Sequence, residues 1–201
     1  MPAGWRWLAS TGLLSALWFV FFAAHLSAWL SDHRPVGLGV VVLEFVFAVL
    51  FILRRQPLTV SRAPVAWFAA AIGSFGMIAA RPHYAPIGGD GLALALQVGG
   101  SLAAGVSLLS LGRSFGVVAA NRGLRTGGAY RVVRHPVYAC YLIVSAGYLL
   151  ENPTRWNALV IAGFVAAQVV RIREEESCLA GDPAYTSYRA QVRYRLVPYV
   201  F

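Results

Sequence analysis

The chain is 201 residues long, which allows one domain or two small ones. Apolar residues make up 58% of it and charged residues only 12%, against roughly 25% charged in a soluble domain, and mean hydropathy is +0.63. These values exclude a soluble monomer, which would lack the polar surface to wrap its core, and a disordered chain; the remaining solvent is lipid.

Six apolar runs follow one another: Leu8–Leu30, Val36–Leu53, Ala63–Ala80, Leu92–Gly112, Val137–Leu150 and Trp156–Val170. A membrane-spanning helix needs about 20 residues, within a range of about 17–25. The first four runs meet that range. The last two hold 14 and 15 residues and read as a short helical hairpin, a buried pair, or thin spans with snorkelling ends. The expected fold is therefore an all-α polytopic membrane bundle of four spans plus a short C-terminal hairpin. Residues 1–112 would form the scaffold, and residues 113–201 a region with the hairpin, a cytosolic loop and a cytosolic tail.

The net charge of +9 comes from 17 arginines and no lysine. Their placement argues for a membrane, not for nucleic acid, because they lie between the apolar runs. With the N-terminus in the cytoplasm, 14 arginines fall inside and only Arg34, Arg81 and Arg155 outside. The positive-inside rule then holds at every loop and puts both termini in the cytosol. The lysine-free, Ala/Gly/Val/Arg-rich composition indicates a GC-rich genome and so a prokaryotic cytoplasmic membrane. Two cysteines, Cys140 and Cys178, give neither a disulfide framework nor metal spacing. The four histidines share no metal-ligand spacing either, so no metal is expected.

Two cytosolic pieces carry the polar chemistry. In the first, Gly127-Gly128 breaks structure and Pro136 suits the first position of the fifth helix. That places His135 at the N-cap with Arg134 beside it, an arrangement that favours an anion. Tyr130, Tyr138 and Tyr141 lie nearby. The same residues also suit a juxtamembrane loop whose arginines meet lipid phosphates. In the second piece, Arg171 and Glu175 stand at i, i+4 if the last apolar helix continues. Three adjacent carboxylates, Glu174 to Glu176, are either a binding cluster or a solvated stretch. The helix should stop near Gly181, and Asp182 with Pro183 should start another, whose Tyr185, Tyr188 and Val192 share a face. Together the two pieces suit a zwitterionic ligand with hydroxyls. Within the spans, Glu44 is either functional or neutralised by a neighbouring helix. His25 and Gln97 suit interhelical hydrogen bonds, and the glycines at 99, 100 and 105 suit close helix packing.

From about Leu111 to Phe201 the sequence resembles the isoprenylcysteine carboxyl methyltransferase family of membrane enzymes and, more distantly, phospholipid N-methyltransferases. The residues that carry this are Arg134-His135-Pro136-Val137-Tyr138, Asn152-Pro153, Arg171, Glu175-Glu176-Ser177-Cys178-Leu179, Tyr185, Tyr188 and Pro198. Cys140 stands where the family usually has glycine, and Ala129 where proline often precedes the tyrosine. The resemblance implies S-adenosyl-L-methionine as methyl donor, with Tyr130, Arg134, His135, Pro136, Tyr138, Glu175, Glu176, Leu179 and Tyr188 as its binding residues. Its carboxylate would meet Arg134 and His135, and its ribose Glu175 or Glu176. Arg171 and Glu175 are the expected catalytic pair, Arg171 orienting an amphipathic, lipid- or isoprenoid-like acceptor. A competing resemblance, through Val192–Pro198, is to NADPH-dependent membrane sterol reductases. A small transporter or adaptor is the non-enzymatic alternative, and it leaves the glutamate run unexplained.

Overall fold

A computed structural model describes residues 3–199. Seven helices follow in order: α1 (Ala3–Asp32), α2 (Pro35–Leu53), α3 (Pro64–Phe75), α4 (Asp90–Leu111), α5 (Pro136–Glu151), α6 (Arg155–Leu179) and α7 (Pro183–Gln191). Six of the seven, all but α1, have a non-helical residue before the first turn, and four of these, α2, α3, α5 and α7, have proline in that turn. Proline costs nothing there, because that N–H has no helical partner. The fold is all-α and polytopic, as its apolar runs require.

Four helices are long and apolar enough to cross a membrane: Trp7–Asp32, Pro35–Leu53, Asp90–Ser114 and Arg155–Leu179. The number agrees with the sequence reading, but the membership differs. The sixth run is a 25-residue helix, not a short hairpin arm. The third run is α-helical for only 12 residues and then tightens into a 3₁₀ turn over Gly76–Ala79. The two segments meet at Gly73. Gly73 O accepts from Gln168 Nε2 at 2.9 Å and from Arg171 Nη1 at 3.1 Å. Those bonds satisfy Gln168 and part of the Arg171 guanidinium, whose Nε has no partner among the described residues, just before α3 changes its winding.

The loops gather at two ends. At one end, Leu58 N donates to Asn121 O and Arg55 N to Arg113 O, and Thr59–Val60 (β1) pairs antiparallel with Ala120–Asn121 (β2). Arg54 reaches Ser10 and Thr11 at the start of α1. At the other end, Arg34 meets Glu151 at 3.3 Å, while Asn157, fully buried, bonds both Arg81 N and Arg81 O. This is the division that the arginine count proposes: an arginine-rich end and an arginine-poor one. Just inside the arginine-rich end lies the main apolar core of Trp18, Phe51, Leu108, Phe115 and Val137. Phe115 belongs to the α4–α5 loop, and its ring lies 5.0 Å from that of Phe51. Burying it anchors the loop against the bundle.

Candidate active site

The α4–α5 loop, the start of α5, the end of α6 and α7 enclose a polar cleft at the arginine-rich end. Each boundary has a local cause. Asp182 caps α7 by accepting from Ala184 N at 2.9 Å, which stabilises a helix start by roughly 1 kcal/mol. That cap presents Tyr185 and Tyr188 inward, both buried. Tyr188 donates to Tyr130 O at 2.7 Å and so ties α7 to the loop. Burial pushes the hydroxyls of Tyr185 and Tyr188 up to about 12, so both remain neutral donors. Burial also raises Tyr130.

His135 stands at the start of α5 with Pro136 in the first turn, as the sequence indicates. Its side chain makes no capping bond. The ring instead faces Glu176 at 3.3 Å and Glu175 at 3.7 Å. Arg134 Nε donates to Glu176 at 2.9 Å, and Arg195 Nη2 does so at 2.8 Å. Glu176 therefore joins three cationic or ionisable groups from the loop, the helix start and the tail, and its hydrogen bond pushes Arg195 further up. Two backbone bonds complete the join: Arg134 N to Tyr194 O and His135 N to Arg195 O, both 2.9 Å.

Glu175 has a different position. It lines the cleft and accepts the Tyr138 hydroxyl. Arg171 lies over the Tyr138 ring, 5.0 Å from its centroid, and donates to Val117 O at 3.1 Å. Gly73 makes room for it, since a Cβ there would sit 2.8 Å from Arg171 Cδ. Of the residues expected at a cofactor site, Tyr130, Arg134, His135, Tyr138, Arg171, Glu175, Leu179 and Tyr188 line the cleft together. Pro136 and Glu176 are not on its wall. Cys140, at the family's glycine position, faces α4 instead, with Sγ 3.9 Å from Ser107 Oγ.

Arg122 is the residue that the sequence reading missed. It lines the cleft, and its Nε is buried without a partner among the described residues. Any Cβ at Gly116 would collide with its guanidinium. Burial lowers its pKa to about 10, Arg54 adds to the lowering and Glu175 opposes it, so the group is a cation at neutral pH. Nothing in the sequence separates it from its neighbours in an arginine-rich loop; only its place across from Glu175 does. A desolvated cation, a carboxylate, tyrosine rings and the apolar side chains of Leu111, Leu124 and Leu179 thus line one cleft.

A second cavity, of about 490 Å³, runs between the helices and is walled by Trp18, Phe21, Leu43, Phe47, Val144, Phe164 and others. Phe115, Tyr141 and Arg171 line both cavities.

Fold and site thus define a polytopic membrane protein with a polar cleft at one end and an apolar chamber beneath it. Residues 93–181 match the isoprenylcysteine carboxyl methyltransferase (ICMT) family. The match runs from α4 to just past α6, supports the assignment made on the Arg134–Tyr138 and Glu175–Leu179 motifs, and supports a membrane methyltransferase. It begins before the loop and ends before Tyr185, Tyr188 and Pro198. No curated protein matches the chain. Among the described residues no group of three or more His, Cys, Asp or Glu is placed to hold a metal ion.

Proposed function

We propose that the protein transfers a methyl group from S-adenosyl-L-methionine to an amphipathic acceptor at the membrane interface. One observation carries this reading: a polar cleft and an apolar chamber open onto the same three side chains, Phe115, Tyr141 and Arg171. A water-soluble donor and a lipid-soluble acceptor need such a meeting point. In this reading residues 1–112 are scaffold and 113–201 carry the chemistry.

Arg122 would hold the cofactor carboxylate, with Arg134 and His135 at the start of α5 lining the same cleft. Glu175 would accept the ribose hydroxyls while Tyr138 fixes its orientation. Tyr130, Tyr188 and Leu179 offer the aromatic and apolar surface for adenine. When bound, the cofactor supplies an electrophilic methyl group on a sulfonium. The chain's part is alignment, since a nucleophile about 3–3.5 Å away reacts with little further help. Arg171 would orient the acceptor's head at the junction. Glu176 and Pro136 would act on the site indirectly, by fixing the tail and the start of α5.

The acceptor's tail belongs in the chamber. A polar molecule would lose several kcal/mol there for want of partners, whereas each buried CH₂ gains about 0.8 kcal/mol relative to water. The lining residues Phe21 and Ile78, on α1 and the 3₁₀ turn, mark the side where a chain would slide in from the bilayer. Calorimetric titration of the purified protein with S-adenosylhomocysteine and with NADPH tests the reading. We expect binding of the first and not of the second; binding of NADPH alone would move the protein to the reductase class.

A further inference from the structure

The chamber is not apolar along its whole length. Away from the arginine-rich end its wall holds His25, Glu44, Gln97, Ser101, Tyr148 and Glu151. Some of these groups satisfy one another. His25 Nδ1 lies 2.9 Å from Glu44 Oε2, and Gln97 Nε2 donates to Glu151 Oε2 at 3.0 Å. Others do not. Ser101 is only 6% exposed, and neither its hydroxyl nor that of Tyr148 hydrogen-bonds to another described residue. The second oxygen of Glu44 likewise has no partner among them. These groups sit within the bundle, where a polar atom without a partner is costly and where ionisable residues mark function by default.

A plain hydrocarbon tail would bury these hydroxyls and the carboxylate oxygen against methylenes. A tail with its own hydroxyl would pair them. A site built to hydrogen-bond a ligand group discriminates strongly against the analogue without it. We propose that the chamber takes a chain with polar groups at both ends: a head at Arg171 and a hydroxyl recognised by Ser101, Tyr148 and Glu44. Along α5, the rise from Tyr141 to Tyr148 puts the two recognition points roughly 10 Å apart. The proposal rests on the methyltransferase reading only for the statement that the head is methylated.

Binding of tritiated octanoic acid and 8-hydroxyoctanoic acid, whose extended chain spans about that distance, tests it, using the full chain in lipid nanodiscs with empty nanodiscs subtracted. The hydroxylated acid should bind about three- to tenfold more tightly, the span expected for one or two hydrogen bonds. Ser101→Ala and Tyr148→Phe should each reduce that preference, partly by strengthening the binding of octanoic acid, whose tail then no longer covers an unpaired hydroxyl. Equal binding of the two acids, no binding of either, or a preference that survives in both variants overturns the proposal. S-adenosylhomocysteine titrated into the same samples decides the methyltransferase reading separately. Chain selectivity without cofactor binding would support the polar-ended chamber and remove only the methyl transfer.

Discussion

Glu175 and Glu176 are adjacent carboxylates with opposite tasks. Successive helical side chains point about 100° apart, so one faces the cleft and the other the seam between loop and tail. Glu176 is 8% exposed and bonded to Arg134, His135 and Arg195. Removing one partner of a buried pair costs about 3–5 kcal/mol, because the other charge is left without compensation. Glu176→Gln should therefore lower the thermal midpoint in detergent and make the tail beyond Leu179 sensitive to protease. Glu175→Gln and Arg122→Ala should leave the midpoint nearly unchanged and weaken S-adenosylhomocysteine binding about tenfold or more, the cost of one charge-assisted hydrogen bond. Equal thermal losses in Glu175→Gln and Glu176→Gln, with unchanged ligand affinity, would show that both carboxylates only hold the fold.

Among the elements, α4 and α5 set the chamber wall by close approach. Gly100 lies against Val144, where a Cβ would come within 2.8 Å of Val144 Cγ2. Gly147 returns the contact: a Cβ there would sit 2.9 Å from Ala93 O and 3.0 Å from Gln97 N. Backbone atoms of a helix do not move aside as a side-chain tip does, so the two helices would have to separate. Gly147→Ala should cost about 1–3 kcal/mol, as overpacking of a tight interface does, and should displace Gln97 from Glu151. A thermal midpoint equal to that of the unaltered protein would show that the pair has slack. Gly99 and Gly105 have no such role, since a Cβ at Gly99 meets nothing within 4 Å and one at Gly105 only Leu43 at 3.9 Å. Small residues mark helix packing only on the face that the neighbour occupies.

At the scale of the molecule, the arginines and the cleft share one end of the bundle. By the positive-inside rule that end would face the cytoplasm, the side from which a soluble cofactor would enter. Single cysteines at Ser31 and Ser187, both exposed, in a chain whose Cys140 and Cys178 are replaced, report the orientation. A membrane-impermeant reagent added outside should label position 31 and spare position 187. Labelling of 187 in sealed vesicles of native orientation would invert the plan and put the cleft on the wrong side for its cofactor.

The sequence by itself determined the solvent, the fold class, the ends of α5, the start of α7, and the motifs that link loop to tail. These are properties of composition and of short-range pattern: apolar length, proline at a helix start, aspartate at a cap. It also marked His25 and Gln97 as interhelical partners, because a polar group inside an apolar run has few other ways to be satisfied, and left Glu44 between that role and a functional one. Tertiary structure alone decided three things. It separated Glu175 from Glu176, since facing depends on what packs against each side of α6. It singled out Arg122 in an arginine-rich loop, since only the fold places Gly116 beneath its guanidinium and Glu175 across from it. It ended α3 after Phe75 and wound Gly76–Ala79 into a 3₁₀ turn, within an apolar run that carries no mark of the change. Local pattern specifies where a helix begins and which face is apolar; which polar group meets which is fixed by approach between distant segments, and that is not written in any window of the chain.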